Sequence, residues 1–427
     1  MFYNRIPVTM QENPFTYLSI TNRIIMKLNY AILFFLVLAT SCMSEEERLK
    51  RDADRIHAAV LSVDTHCDTP MDMYSDSLDL GVRHDEGCVD IPRMKEGGLD
   101  AEFFAVFTGQ GPRDDSSFAK VHRQAIAVFG AIHRNIEKNS RAIGLALTPE
   151  DAYRLKKEGK IAAFIGVENG YPVGKDLARI KEFYDLGARY MTLSHTKNND
   201  ICDSSTDPKG AENNGLSGFG KEVVKEMNRL GIMVDVSHIS DKSFYDVLKI
   251  TRAPVIASHS SCRALCESPR NLDDNMLQAL KQNNGVIQIC ILSDYLKTPE
   301  KNPELDSRLS DLRKRFGDYN SLSDEKKKLM RKEYEETMKK YAKLATVKDA
   351  VNHIDHVVQE IGIDHVGIGT DFDGGGGIEG CKTVADMKNI TIELLRRGYS
   401  KADIEKIWGG NVMRVLSQAE NIARQNN

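Results

Sequence analysis

From about residue 58 to the C-terminal region, short β-rich runs alternate with longer amphipathic segments, and this alternation restricts the fold more than any other feature. The runs occupy residues 59–63, 101–107, 161–167, 190–193, 232–236, 255–257, 286–292 and 366–369. Their nearly continuous apolar character suits parallel strands covered on both faces, and the segments between them are long enough for crossover helices. Eight parallel strands close a cylinder, so the predicted fold class is α/β, a (β/α)8 TIM barrel. A chain of 427 residues with 41% apolar content can fill a core of that size.

Residues 220–230 typify the helical connections, with Val223, Val224, Met227 and Leu230 at helical spacing against Lys221, Glu222, Lys225 and Glu226. Residues 301–343 are dense in Lys, Arg, Glu and Asp and are expected to form a charged helical insertion before the last strand. Acids interspersed with its basic run Lys326-Lys327-Lys328 make a solvated face the reading, not an anion site.

Residues 1–45 obey a different rule. Arg23 and Lys27 precede the apolar stretch 31–39, and Ala39-Thr40-Ser41-Cys42 follows, the layout of a signal peptide. The stretch is shorter than the ~20 residues that cross a bilayer, and its end resembles a bacterial lipobox. The expectation is a leader and tether over 1–45 and one catalytic domain over 46–427. The protein would be exported and held on a bacterial membrane by lipid on Cys42, with an uncleaved anchor as the alternative. Synthesis is expected to begin at Met26, and Ser44-Glu45-Glu46-Glu47 to form a mobile acidic tether. Without Cys42, seven cysteines remain, an odd number that cannot all pair, and no C-x-x-C pair suggests a thiolate zinc site. A net charge of -4 excludes the basic surface that nucleic acid would require.

Polar residues cluster where the strands end, which is where barrel enzymes assemble their sites. Asp64-Thr65-His66-Cys67-Asp68 follows the first run, and alternate side chains on an extended segment let His66 and Asp68 converge on one ion. Glu168 ends the third run, where a carboxylate is costly to bury without a cation and has two oxygens with which to bridge a pair. His195 follows the fourth run, His238 the fifth, His259 the sixth, and Asp371 and Asp373 the eighth. Taken singly, each histidine reads as an ordinary hydrogen-bonded core residue. Four of the eleven histidines after four different strands, beside Asp68, Glu168 and Asp371, instead make a metal shell, and its nitrogen and oxygen donors suit zinc best.

These segments resemble the membrane (renal) dipeptidases, metallopeptidase family M19, a branch of the metal-dependent barrel hydrolases. The likeness rests on Asp64 to Asp68, Gly166 to Gly170, Leu193 to Thr196, Asp235 to His238, Ser258 to Ser261 with Pro269-Arg270-Asn271, and His365 to Gly374. It implies two zinc ions per subunit, one on His66 and Asp68, the other on His238 and His259, with Glu168 bridging. It implies that His195 holds the scissile carbonyl oxygen, that Arg270 receives the substrate carboxylate, and that Asp371 is the acid/base residue. Dipeptide substrates and a homodimer follow from the same likeness. On pattern alone an ordinary ion pair fits Arg270 equally well. Related barrels hydrolyse lactones, β-lactams or phosphotriesters, or deaminate, and these are the rival readings. Glu168 stands where phosphotriesterase-like sites carry a carboxylated Lys. The polar segment 198–217 has no assigned role.

Overall fold

The computed structural model describes residues 44–75, 78–298, 300–317 and 322–426. The chain divides into two compact units, residues 1–52 and 53–427, considered separately. In the first, the described part is the start of a helix, Glu45–Ala59, and not a mobile tether. Ser44 Oγ accepts from Glu47 N at 3.2 Å while Glu47 Oε2 accepts from Ser44 N at 2.8 Å. This reciprocal cap, with three glutamates on the first turn against the helix dipole, fixes the segment that composition alone made look like a linker. The stretch 31–39, Met26 and Cys42 lie outside the described residues.

The second unit is built on nine parallel strands: β1 Val63–Cys67, β2 Ala101–Phe107, β3 Ile143–Leu145, β4 Ile161–Glu168, β5 Ala188–Thr192, β6 Met233–Asp235, β7 Ile256–Ser260, β8 Val286–Ile289 and β9 Val366–Ile368. Eight pair in the order β1-β2-β4-β5-β6-β7-β8-β9, and β3 adds to β4 off this path. Closure comes from the chain beyond β9. Asp371 N donates to His66 O at 3.0 Å and Asp68 N donates to Phe372 O at 2.8 Å, completing the (β/α)8 barrel.

Seven of the eight expected strands coincide with observed ones to within a few residues. The first does not: residue 59 ends a helix, and β1 begins at Val63. Val60 and Leu61 are buried as the link between helix and strand, and a short apolar run does not distinguish that role from a strand. The three-residue β3 was too short to register as a run.

Alternate residues along the strands enter two different cores, as a period of two requires. Val63, Phe103, Phe164, Tyr190, Met233 and Ile256 belong to one cluster, and Phe104, Val106, Ile165, Val167, Met191 and Val234 to the other. Phe103 stacks on Phe164 at 4.6 Å and on Tyr190 at 5.5 Å between ring centroids. A Cβ on Gly166 would lie 2.0 Å from the Tyr190 ring, so glycine is what lets that ring cross the barrel. The helix Gly218–Leu230 buries Val223, Val224, Met227 and Leu230 as expected. Between β8 and β9 the charged insertion contains two helices, Pro303–Phe316 and Asp324–Tyr341. The seven described cysteines are all free.

Candidate active site

The C-terminal ends of the strands bring together the residues singled out in the sequence. His66 lies within β1 and His259 within β7, Glu168 is the last residue of β4, and Asp68, His195, His238 and Asp371 lie just beyond β1, β5, β6 and β9. Three of the turns involved carry side chains on left-handed backbone: Asn169 (φ 76°), His238 (φ 69°) and Asp371 (φ 60°). Such backbone is tolerated best by Asn, Asp and His, costs of order 1–3 kcal/mol, and concentrates at functional sites.

Glu168 is the centre of the cluster. Its Oε1 lies 3.1 Å from His238 Nε2, 3.5 Å from His259 Nε2 and 3.6 Å from His195 Nε2, and its Oε2 lies 3.6 Å from His66 Nε2. His66 Nε2 is also 3.9 Å from Asp371 Oδ1. Potential donor atoms form three overlapping trios, His66 with Glu168 and His259, Glu168 with His195 and His238, and His66 with Asp68 and Asp371. His66, Glu168, His238 and His259 are buried, whereas His195 and Asp68 are half-buried.

Burial and close neighbours shift every titratable group in the cluster. Burial raises the Glu168 carboxyl, but the charges of His66 and His195, with the imidazoles of His238 and His259 alongside, outweigh it and hold the group well below its usual range. Burial opposes a charge on His66 too, yet Glu168 beside it carries the imidazole up to about 10. Burial keeps His238 and His259 neutral. Burial, with Glu168 nearby, lifts Asp68 well above its normal range, and burial lifts Asp371 to about 7 against the pull of His66. His66 Nε2, Asp68 Oδ1 and Glu168 Oε2 are buried without any hydrogen-bond partner. Buried nitrogen and oxygen atoms left unpaired and close to one another are what divalent cations would satisfy, so these residues fit metal.

Arg270, 4% exposed, is pinned above this cluster. Its Nη2 donates to His259 O at 3.0 Å, its Nη1 to Ser260 Oγ at 3.4 Å, and its guanidinium lies 5.2 Å from the Tyr295 ring centre. The surface ion pair that the pattern equally allowed is not its environment. Its Nε is buried and unpaired. The segment 198–217 also acquires a role, because Ser204 Oγ donates to His195 O at 2.5 Å and Ser205 N donates to His238 O at 2.8 Å. It thereby fixes the backbone that carries both imidazoles.

Four other features were not read from the sequence. Tyr190 Oη lies 2.8 Å from His66 Nδ1 across the barrel. Asp235 lies beneath His259, joined to it through Ser258. Asp373, which follows Asp371 in an apparently equivalent position, points elsewhere and accepts from Thr69 Oγ1 at 2.6 Å and Cys88 N at 2.7 Å. A Cβ on Gly374 would come within 2.1 Å of Asp68 Oδ2 and 2.3 Å of Asp371 Oδ1, so this glycine keeps the loop close over the site.

The chain as a whole is similar to several known proteins. A family model described as membrane dipeptidase, peptidase family M19, matches residues 50–427. Dipeptidase tcpJ of Claviceps purpurea is 34% identical over 344 residues, 79% of this chain and 70% of that protein. Dipeptidase aclJ of Aspergillus oryzae is 32% identical, covering 80% and 72%. The crystal structure of the probable dipeptidase PvdM from Pseudomonas aeruginosa superposes with a TM-score of 0.77 at 32% identity, covering 88% of this chain and 99% of that one. These relatives overturn the expectation of a bacterial lipoprotein anchored at Cys42. Dipeptidases tcpJ and aclJ come from fungi, and a lipid on that cysteine needs bacterial lipoprotein processing. Among the described residues no helix is long and apolar enough to cross a membrane.

Proposed function

Because the chain belongs to the membrane dipeptidase family, peptidase family M19, and is therefore a metallo-dipeptidase hydrolysing peptide bonds, we propose that it works with two zinc ions held by His66, Asp68, Glu168, His238 and His259. His66 and Asp68 would hold one ion, His238 and His259 the other, and Glu168 both. The observation that carries this reading is the position of Glu168, one oxygen against three imidazoles and the other against a fourth. When bound, such a pair supplies the Lewis acidity that makes water a nucleophile near neutral pH and polarises the peptide carbonyl.

The protein's own groups do the rest. Arg270 receives the substrate's C-terminal carboxylate through its guanidinium, and this limits the substrate to one residue beyond the scissile bond. His195 donates to the carbonyl oxygen as negative charge develops there. Asp371 takes a proton from the attacking water and returns it to the departing amine.

Glu168→Gln tests the centre of the scheme. Turnover of a dipeptide should fall by at least 100-fold, zinc per subunit should drop below two, and the circular dichroism spectrum should be retained. A folded variant with wild-type turnover would exclude the bridging role.

A further inference from the structure

Ligand imidazoles are usually steered by whatever holds the nitrogen that faces away from the metal. Tyr190 Oη is that partner for His66, and His238 Nδ1 is buried without one. His259 differs. Its Nδ1 lies 2.8 Å from Ser258 Oγ, and Ser258 Oγ donates to Asp235 Oδ2 at 2.7 Å.

Asp235 is fully buried at the end of β6 and accepts four hydrogen bonds, all from neutral donors. Thr192 Oγ1 at 2.5 Å and Ser258 Oγ reach Oδ2, while Ser258 N at 2.9 Å and Ser237 N at 3.0 Å reach Oδ1. Because the Ser258 hydroxyl spends its proton on Asp235, it must accept from His259. That places the proton of His259 on Nδ1 and leaves the Nε2 lone pair directed at Glu168 and His238, 3.5 and 2.8 Å away.

We infer that Asp235 is a positioning residue that acts through Ser258 to lock His259 in its metal-binding tautomer, so that a carboxylate–hydroxyl–imidazole relay serves the ion on His238 and His259. The inference rests on the two-zinc reading above. The orientation of the relay makes Asp235→Asn informative. The two backbone amides require the amide oxygen of Asn at the Oδ1 position, which puts its NH2 against the hydroxyls of Thr192 and Ser258. Of the two acceptors then left to the Ser258 hydroxyl, His259 Nδ1 at 2.8 Å is nearer than Ser237 Oγ at 3.5 Å, and donation to it moves the imidazole proton to Nε2 and closes that nitrogen to a cation.

The experiment measures zinc per subunit at buffered free zinc for the wild type, Asp235→Asn, Ser258→Ala and the double variant, with thermal unfolding of each metal-free form. In Asp235→Asn one ion should bind with wild-type affinity and the other about 10- to 100-fold more weakly. The double variant should recover to the level of Ser258→Ala, since the inverted donor is gone. Equal weakening of both ions, or losses that simply add, would mean a packing role and overturn the relay. So would two ions of unchanged affinity in Asp235→Asn. A wild type that binds fewer than two ions would instead overturn the reading on which the relay rests. Should Asp235→Asn not fold, Ser258→Ala decides alone: selective weakening of one ion supports the relay, and full affinity for both overturns it.

Discussion

The carboxylate of Glu168 meets four imidazoles within 3.6 Å, and Arg270 is buried with one guanidinium nitrogen unpaired. Both are costs to the fold that substrate and cation chemistry would offset. Arg270→Lys keeps the charge but loses the planar fork, so kcat/KM for dipeptides should fall about 10- to 100-fold, mainly through KM. The same variant should discriminate less between a dipeptide and its C-terminal amide, a comparison made by steady-state assays of the two substrates. At this scale the donors were legible, because imidazoles and carboxylates directly after apolar strands have few other reasons to be there. Pattern alone did not separate Asp371 from Asp373, and only the family likeness singled out Asp371. Both sit on left-handed backbone, which breaks the simple alternation of an extended chain and sends them to different partners. Tyr190 was hidden in an apolar run, because its ring is core and its hydroxyl alone is functional.

Strand and helix positions decide how tightly those residues are held. Replacing Gly166 by Ala drives a methyl into the Tyr190 ring, so the variant should lose about 1–3 kcal/mol of stability, read as a lower unfolding midpoint, and zinc affinity should weaken as Tyr190 shifts from His66. The helix Val347–Ile361 gives a second expectation, for pH. His353 there accepts from Cys262 N on Nδ1 at 3.0 Å and donates from Nε2 to Leu296 O at 3.0 Å, a pairing open only to neutral imidazole. Burial pushes its pKa down to about 4. The unfolded chain therefore binds this proton near pH 6.5 and the folded chain does not. Stability from His353 is complete above about pH 6.5 and should decline by up to about 1.4 kcal/mol per pH unit as pH falls towards 4. Thermal unfolding across that range should show the slope in the wild type and a smaller one in His353→Gln. Element boundaries were least legible where an apolar stretch served two roles, as at residues 59–63.

Across the whole molecule, barrel architecture followed from rhythm alone, since eight buried parallel strands at crossover spacing admit few other arrangements. The charged insertion was recognisable because its composition offers no apolar face broad enough for the barrel. The acidic segment after residue 43 was not, because its helix depends on one serine cap. The cylinder is sealed by the chain just after β9 hydrogen-bonding to His66 and Asp68, so residues about 300 apart in sequence complete a single cage. Ribosomes make the first half of that cage long before the second. A nascent chain arrested anywhere upstream of residue 371 should emerge without peptidase activity, and a stop codon there should yield product that neither cleaves dipeptides nor binds metal as the full chain does. Hydrolysis thus waits until the last strand and the turn that follows it have been made, a delay that needs no inhibitor.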